Sequence, residues 1–268
     1  MFWNDYSDWQ SAETAWDQKA QELKTSHPLK TLSSLPKMAG VAESGIKRKG
    51  LFYLLSHDRK KVFWRHFFRS PIRYGYRLFR SYLQKRSYKR DGDFFLYGLS
   101  SAEELLEDPN ALLLIGFSYC HKPIECPSGR FSDQCIRDPK NPTCRQCFIG
   151  KCANAAPAKA ELLWIPTIHY IGEKIFDALA KYPKRKIRFL ITACEMSLEM
   201  FGDWGNMVGI KGIGVRLDGR ICNTMKAFEL SEKGIKPGLT VVLDDTQKRL
   251  LELLQKARYS VNRQQGNR

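Results

Sequence analysis

Eight cysteines supply most of the chemistry this sequence could perform, and all of them fall between Cys120 and Cys222 of a 268-residue chain. The densest stretch is NPTCRQCFIGKC (141–152), with Cys144, Cys147 and Cys152 inside nine residues. Cys144-x-x-Cys147 has the spacing that lets two thiolates reach one ion from a single turn, as in zinc and iron–sulfur sites. Upstream, CHKPIECPSG places Cys120 and Cys126 beside prolines that stiffen the chain, so four sulfur ligands become available within 28 residues. Cys135 lies in a polar loop and Cys152 on a helix; both are further ligand candidates, with an idle surface thiol and a small buried core residue as the plainer alternatives.

The elements that must position these thiols alternate between strand and helix from Ser101 onward. ALLLIGFSY (111–119) is a continuous apolar run, as expected of a strand covered on both faces. Further strands are expected at 161–166, 187–193, 212–217 and 239–243, with helices at 145–155, 168–182, 195–202, 223–233 and 246–259. SAEELLED opens with a capping box, Ser101 to Glu104. This alternation predicts an α/β fold with a mainly parallel open sheet and helices on both faces. Such sheets carry their sites outside the carboxyl ends of the strands. Cys120 and Cys194 end strands, Cys222 follows one through an Asp-Gly turn, and His169 follows another. Parallel strands would therefore gather these residues on one rim, with Cys194 and Cys222 as cofactor contacts, further ligands or thiols facing a substrate.

Order and spacing of several of these elements also resemble a known family. YCHKPIECPSGR, CRQCFIGKC leading into a helix, ITACE at a strand end and GRICNT opening a later helix are similar to an uncharacterised cysteine-rich prokaryotic family, domain of unknown function 116, over about residues 112–242. The resemblance puts Cys120, Cys126, Cys144, Cys147, Cys194 and Cys222 on motif cysteines, with Cys135 and Cys152 beside them. It implies metal or iron–sulfur binding and carries no established reaction.

An iron–sulfur cluster is the first expectation, because cubane clusters take four thiolates from scattered points, and spare cysteines could serve an open position. Zinc is the alternative, although closed zinc sites often come as two close pairs and only one is present. Metal-free thiol chemistry is a third reading. G-x-S-x-G, H-E-x-x-H and Walker loops are absent from the sequence, so no hydrolytic or nucleotide motif competes. Redox or sulfur-related chemistry, with an electron-transfer partner, is the functional expectation; a zinc-stabilised binding module is its rival. The N-terminal MFWNDYSDWQ lacks the basic and apolar segments of a secretory leader, which predicts a cytoplasmic chain with reduced thiols rather than a disulfide framework.

The front of the chain is different in kind. A helix from about Ser11 to Lys24 and a linker make up 1–50, a basic aromatic helical region 51–100, and the cysteine-rich α/β domain 101–268. Residues 59–90 contain twelve Lys/Arg and no acid, interleaved with Phe63, Trp64, Phe67, Phe68, Tyr74, Tyr76, Phe79 and Tyr82. Ser70-Pro71 predicts a helix restart. This region is expected either to pack its aromatics on the α/β body, or to meet an anionic membrane surface, or to bind nucleic acid.

Overall fold

A computed structural model describes residues 45–83, 88–108, 110–219, 221–222, 224–235 and 240–266, with six positions between Ser7 and Gln18. The helix expected from about Ser11 to Lys24 therefore lies largely outside the described residues. The fold is α/β, built on a six-stranded, mostly parallel mixed sheet. Its strands are β1 (Lys89–Asp91), β2 (Phe94–Tyr97), β3 (Leu112–Ser118), β4 (Glu161–Ile165), β5 (Ile187–Ala193) and β6 (Lys211–Arg216). They lie in the order β1-β2-β6-β5-β3-β4. β4, β3, β5 and β6 are parallel, and β2 joins β6 antiparallel with β1 outside it. The expected strand at 187–193 appears with those bounds.

The apolar runs form strands here because both of their faces are covered. Ile115 and Phe117 of β3 enter one core with Ile149, Cys152, Leu250 and Leu253, whereas Leu114 enters the other with Ile171, Ile175, Phe201 and Trp204. The first core is closed by α5 (Phe148–Ala155) and α9 (Asp244–Gly266), the second by α6 (Ile168–Lys181) and α7 (Glu195–Val208). Chain leaving β3 moves outward to β4, while chain leaving β5 moves the opposite way to β6. The carboxyl ends of the neighbours β3 and β5 thus define the topological switch point, where open α/β sheets hold their ligands.

Close packing within the sheet depends on glycine at 212, which pairs with Phe189 across β5–β6. A Cβ at Gly212 would sit 2.1 Å from the Phe189 carbonyl oxygen and 2.5 Å from its ring. Gly212→Ala is therefore expected to destabilise the fold by about 3 kcal/mol, seen as a lowered thermal midpoint, because the clash is with backbone that the ladder holds in place.

Three expectations are revised. The front region is not helical throughout: Lys89–Tyr97 forms the β1–β2 hairpin, whose two-residue loop is Gly92-Asp93 with Gly92 at φ 59°. A Gly-Asp pair between strands is a hairpin signal, overshadowed in the sequence by the surrounding basic aromatic pattern. The strand at 239–243 shrinks to β8 (Thr240–Val241), which leaves the main sheet to pair with β7 (Asp218–Gly219). The expected capping box gives way to a 3₁₀ turn, Glu103–Leu106, whose N-cap is Ala102 without a side-chain cap, while the Ser100 N–H donates to the Glu104 carboxylate (2.6 Å).

The basic helices are docked on the body. α1 (Ile46–Ser56), α2 (Val62–Phe67) and α3 (Pro71–Leu83) include the restart expected at Ser70-Pro71. Asp58 opens α2 by accepting from the Val62 and Phe63 N–H groups, both at 2.9 Å. Ser81 on α3 donates to Asp203 of α7 at 2.8 Å. His66 is buried, its ring tilted against Phe176 (4.1 Å between centroids) and paired with the Tyr74 hydroxyl (3.1 Å). Burial, helped by the charge of Arg69, lowers its pKa to about 4. The unfolded chain, titrating near 6.5, binds the proton more readily than the fold does. The neutral-ring contribution is thus complete above about pH 6.5 and is lost as pH falls towards 4, costing on the order of 3 kcal/mol. Unfolding midpoints between pH 7 and 4 should fall more steeply for the native chain than for His66→Phe.

Candidate metal centre

The chain leaving β3 first makes a 3₁₀ turn, Tyr119–His121, and then a loop that folds back on itself. Lys122 explains the folding back. Its side chain is buried, and its ammonium donates to the carbonyls of Ser132 and Gln134, both at 2.8 Å. Arg130, also buried, donates to the carbonyls of Lys122 (3.1 Å) and Cys120 (2.7 Å). These charged donors tie the loop carbonyls to the chain that leaves β3. Cys126 and Cys135 ride on this clasped loop.

The second arm is built from α4 (Pro142–Gln146) and α5. Asn141 caps α4 by accepting from the Thr143 and Cys144 N–H groups, and Pro142 fills the first turn. Cys147 is both the last cap of α4 and the N-cap of α5, so the Cys144–Cys147 pair spans a tight corner between two helices. Gly150 allows a close approach there: a Cβ would lie 3.0 Å from the Cys144 carbonyl oxygen. N–H groups of Gly150 and Ile149 point at the Cys147 sulfur, and that of Ser128 at the Cys126 sulfur. Burial pushes the Cys147 thiol up to about 11, against the pull of those donors. Burial likewise raises Cys126, and the charges of Cys135 and Cys144 add to the rise.

Cys126, Cys135, Cys144 and Cys147 are thereby electrostatic neighbours, and three of them also act on Lys122. Four thiols are the kind of donor that a zinc ion or an iron–sulfur cluster takes. N–H groups aimed at sulfur and a buried cation both compensate the negative charge that such a group carries. Among the described residues, no three His, Cys, Asp or Glu side chains stand in metal-holding positions.

The other candidates go elsewhere. Cys152 is fully buried on α5 in the core, and burial drives its thiol far above the ordinary range. Cys222 is buried in the same core cluster as Ile221 and Phe228. His169 does lie at the strand-end rim, but its Nε2 meets the Leu54 carbonyl (3.2 Å) and burial lowers its pKa. Cys120 and Cys194 meet at the switch point, lining a void of about 50 Å³ with Thr192, Ser197 and Phe228. Cys194 is the N-cap residue of α7, with its sulfur 3.2 Å from the Ser197 hydroxyl. Thr192 holds the two strand ends together: its hydroxyl accepts from the Ser118 N–H (3.0 Å) and meets His121 Nε2 at 2.7 Å.

A larger cavity, about 520 Å³, opens next to this crevice and shares Thr167, Ile168, Phe201 and Glu232 with it. Tyr53, His57, Phe63, Phe176 and Trp204 give it an aromatic lining. The Glu232 carboxylate accepts from the Ile168 N–H at the α6 N-terminus (3.0 and 3.1 Å). No sequence signal marks this cavity, because it exists only where α1 and α2 pack across α6.

Comparison with protein-family models, with curated proteins and with solved structures yields no match for this chain.

Proposed function

We propose that the chain is a metal-binding protein whose centre is held by Cys126, Cys135, Cys144 and Cys147, with an iron–sulfur cluster as the bound group. The observation that supports this reading is the placement of these four cysteines on two adjacent arms, the loop clasped by the buried Lys122 and the Cys144–Cys147 corner between α4 and α5. A bound cluster would supply one-electron transfer at a potential tuned by N–H groups and burial. The chain's own part is to aim the Ser128, Ile149 and Gly150 N–H groups at sulfur and to hold the Lys122 charge nearby. Cys120 and Cys194, at the switch point, are then the thiols available for redox or sulfur-related chemistry on a molecule in the adjoining crevice. The resemblance to the cysteine-rich family belongs to this reading, as does an electron-transfer partner.

Zinc in the same four thiolates is the second reading, favoured by the tight corner at Cys144–Cys147, whose compactness suits a purely structural site. Anaerobic purification of the full chain, followed by absorption spectroscopy and iron, sulfide and zinc analysis, decides between them. Near-stoichiometric iron and sulfide with visible absorption is the expected result. A colourless protein with one equivalent of zinc supports the second reading, and a chain that takes up neither metal overturns both.

A further inference from the structure

The helix α3 carries two apolar faces, and only one of them is used by the fold. Tyr74, Leu78 and Ser81 turn towards the body, where Tyr74 and Leu78 pack against the second core and Ser81 bonds Asp203. Ile72, Tyr76, Phe79 and Leu83 follow one another at spacings of four, three and four residues, which places them in a single stripe. That stripe is open: Ile72 is 88% exposed, Tyr76 63%, Phe79 63% and Leu83 65%. Arg73, Arg77 and Arg80 follow at the same helical spacing, so their stripe runs along one edge of the apolar one. Just before α3, Phe68 is 69% exposed and stacks on Trp64.

We propose that α3 is a docking surface for an anionic lipid bilayer, lying in the plane of the headgroups with the Ile72–Leu83 stripe in the acyl boundary. An exposed apolar stripe edged by arginines is the pattern of helices that lie in a membrane interface. Electrostatics select the occupant. Residues 59–90 hold twelve Lys/Arg and no acid, which complements an anionic surface and opposes pairing with the same surface of a second copy. Nucleic acid would use the arginines, but the aliphatic Ile72 and Leu83 offer no ring on which a base could stack. Among the described residues no helix is long and apolar enough to cross a membrane, so the attachment is peripheral. The surface is independent of the metal centre.

The test uses the full chain and sedimentation with two kinds of vesicle, phosphatidylcholine alone and phosphatidylcholine with 30% phosphatidylglycerol, a proportion chosen at roughly the level that gives a strongly negative surface. Partition into the anionic vesicles should exceed that into neutral ones by about tenfold or more and fall with added salt. Ile72→Glu combined with Phe79→Glu should lower it by about a hundredfold, since two apolar anchors are lost and two repulsive charges gained. Both side chains are outside the core, so metal content and thermal midpoint should match the native chain. Equal partition into both vesicle types overturns the proposal. So does anionic-vesicle binding that survives the double substitution, or a double substitution that abolishes binding to a single-stranded oligonucleotide while leaving vesicle binding intact.

Discussion

With the centre proposed above, serine at any one of Cys126, Cys135, Cys144 or Cys147 is expected to abolish metal binding and to destabilise the protein by on the order of 3 kcal/mol, roughly a quarter of the binding energy of a structural tetrathiolate site. The effect should be large because each thiol is one of only four strong ligands, and a hydroxyl is a poor substitute for a thiolate. It should also be shared, since loss of any one ligand opens the four-coordinate set. Cys147 is the most demanding position, as its sulfur receives the N–H groups of Gly150 and Ile149. Replacing it leaves those donors facing an ion-free corner. Cys152→Ala is the control: its side chain is buried in the core, so a loss of about 1 kcal/mol with unchanged metal content is expected. Cys120→Ser and Cys194→Ser, at the switch point, should keep metal content as well. Metal analysis and thermal unfolding of these variants check the assignment. Full metal content in Cys135→Ser, with loss in Cys120→Ser, would move the centre towards the strand end.

Arg216→Met is expected to cost about 3–5 kcal/mol, comparable to breaking other buried ion pairs by removing one partner. Arg216 stands at the carboxyl end of β6, buried, with its Nε 2.8 Å and its Nη2 2.7 Å from Asp93 Oδ1. Asp218, also buried, lies 3.7 Å from the same Nη2. Asp93 in turn accepts from the Thr246 hydroxyl at 2.7 Å, so one guanidinium ties the β1–β2 hairpin, β6, β7 and the start of α9 together. Methionine fills the space but leaves two carboxylates facing each other without a cation. Lysine keeps the charge and loses the planar fork, so Arg216→Lys should cost less, about 1–2 kcal/mol. Chemical denaturation of the three proteins measures the order. Equal stability of the native chain and Arg216→Met would mean that solvent reaches this network freely.

Much of the sheet was legible because its central strands are rich in apolar residues. A run such as Leu112–Phe117, covered on both faces, has one stable arrangement, and local composition is enough to show it. Strand alternation with helices then settled the parallel topology and placed Cys120 and Cys194 at the same edge. The Cys144–Cys147 pair was legible for a similar reason, since a three-residue spacing fixes two side chains on one corner whatever surrounds them.

Distance along the chain hid the rest. Cys135 is nine residues from both Cys126 and Cys144, and only the buried ammonium of Lys122, bonded to Ser132 and Gln134, folds that loop back. A lysine in a polar, proline-rich stretch gives no sign that it will be buried. Cys152 and Cys222 were candidates by type and position, and the core took them because helix α5 and the segment before α8 (Met225–Ser231) turn them inward. The basic front posed the same problem in another form. Its helical period put apolar residues on two sides of α3, and nothing local distinguishes the two. Docking against α7 used Tyr74, Leu78 and Ser81 and left Ile72, Tyr76, Phe79 and Leu83 in the open. The sequence by itself thus determined the four central parallel strands, their alternation with helices and the local thiol pair, all set by interactions between near neighbours. Which distant thiols meet, and which face of α3 remains exposed, was decided only by tertiary packing, where one buried charge and one helix interface outweigh every local preference.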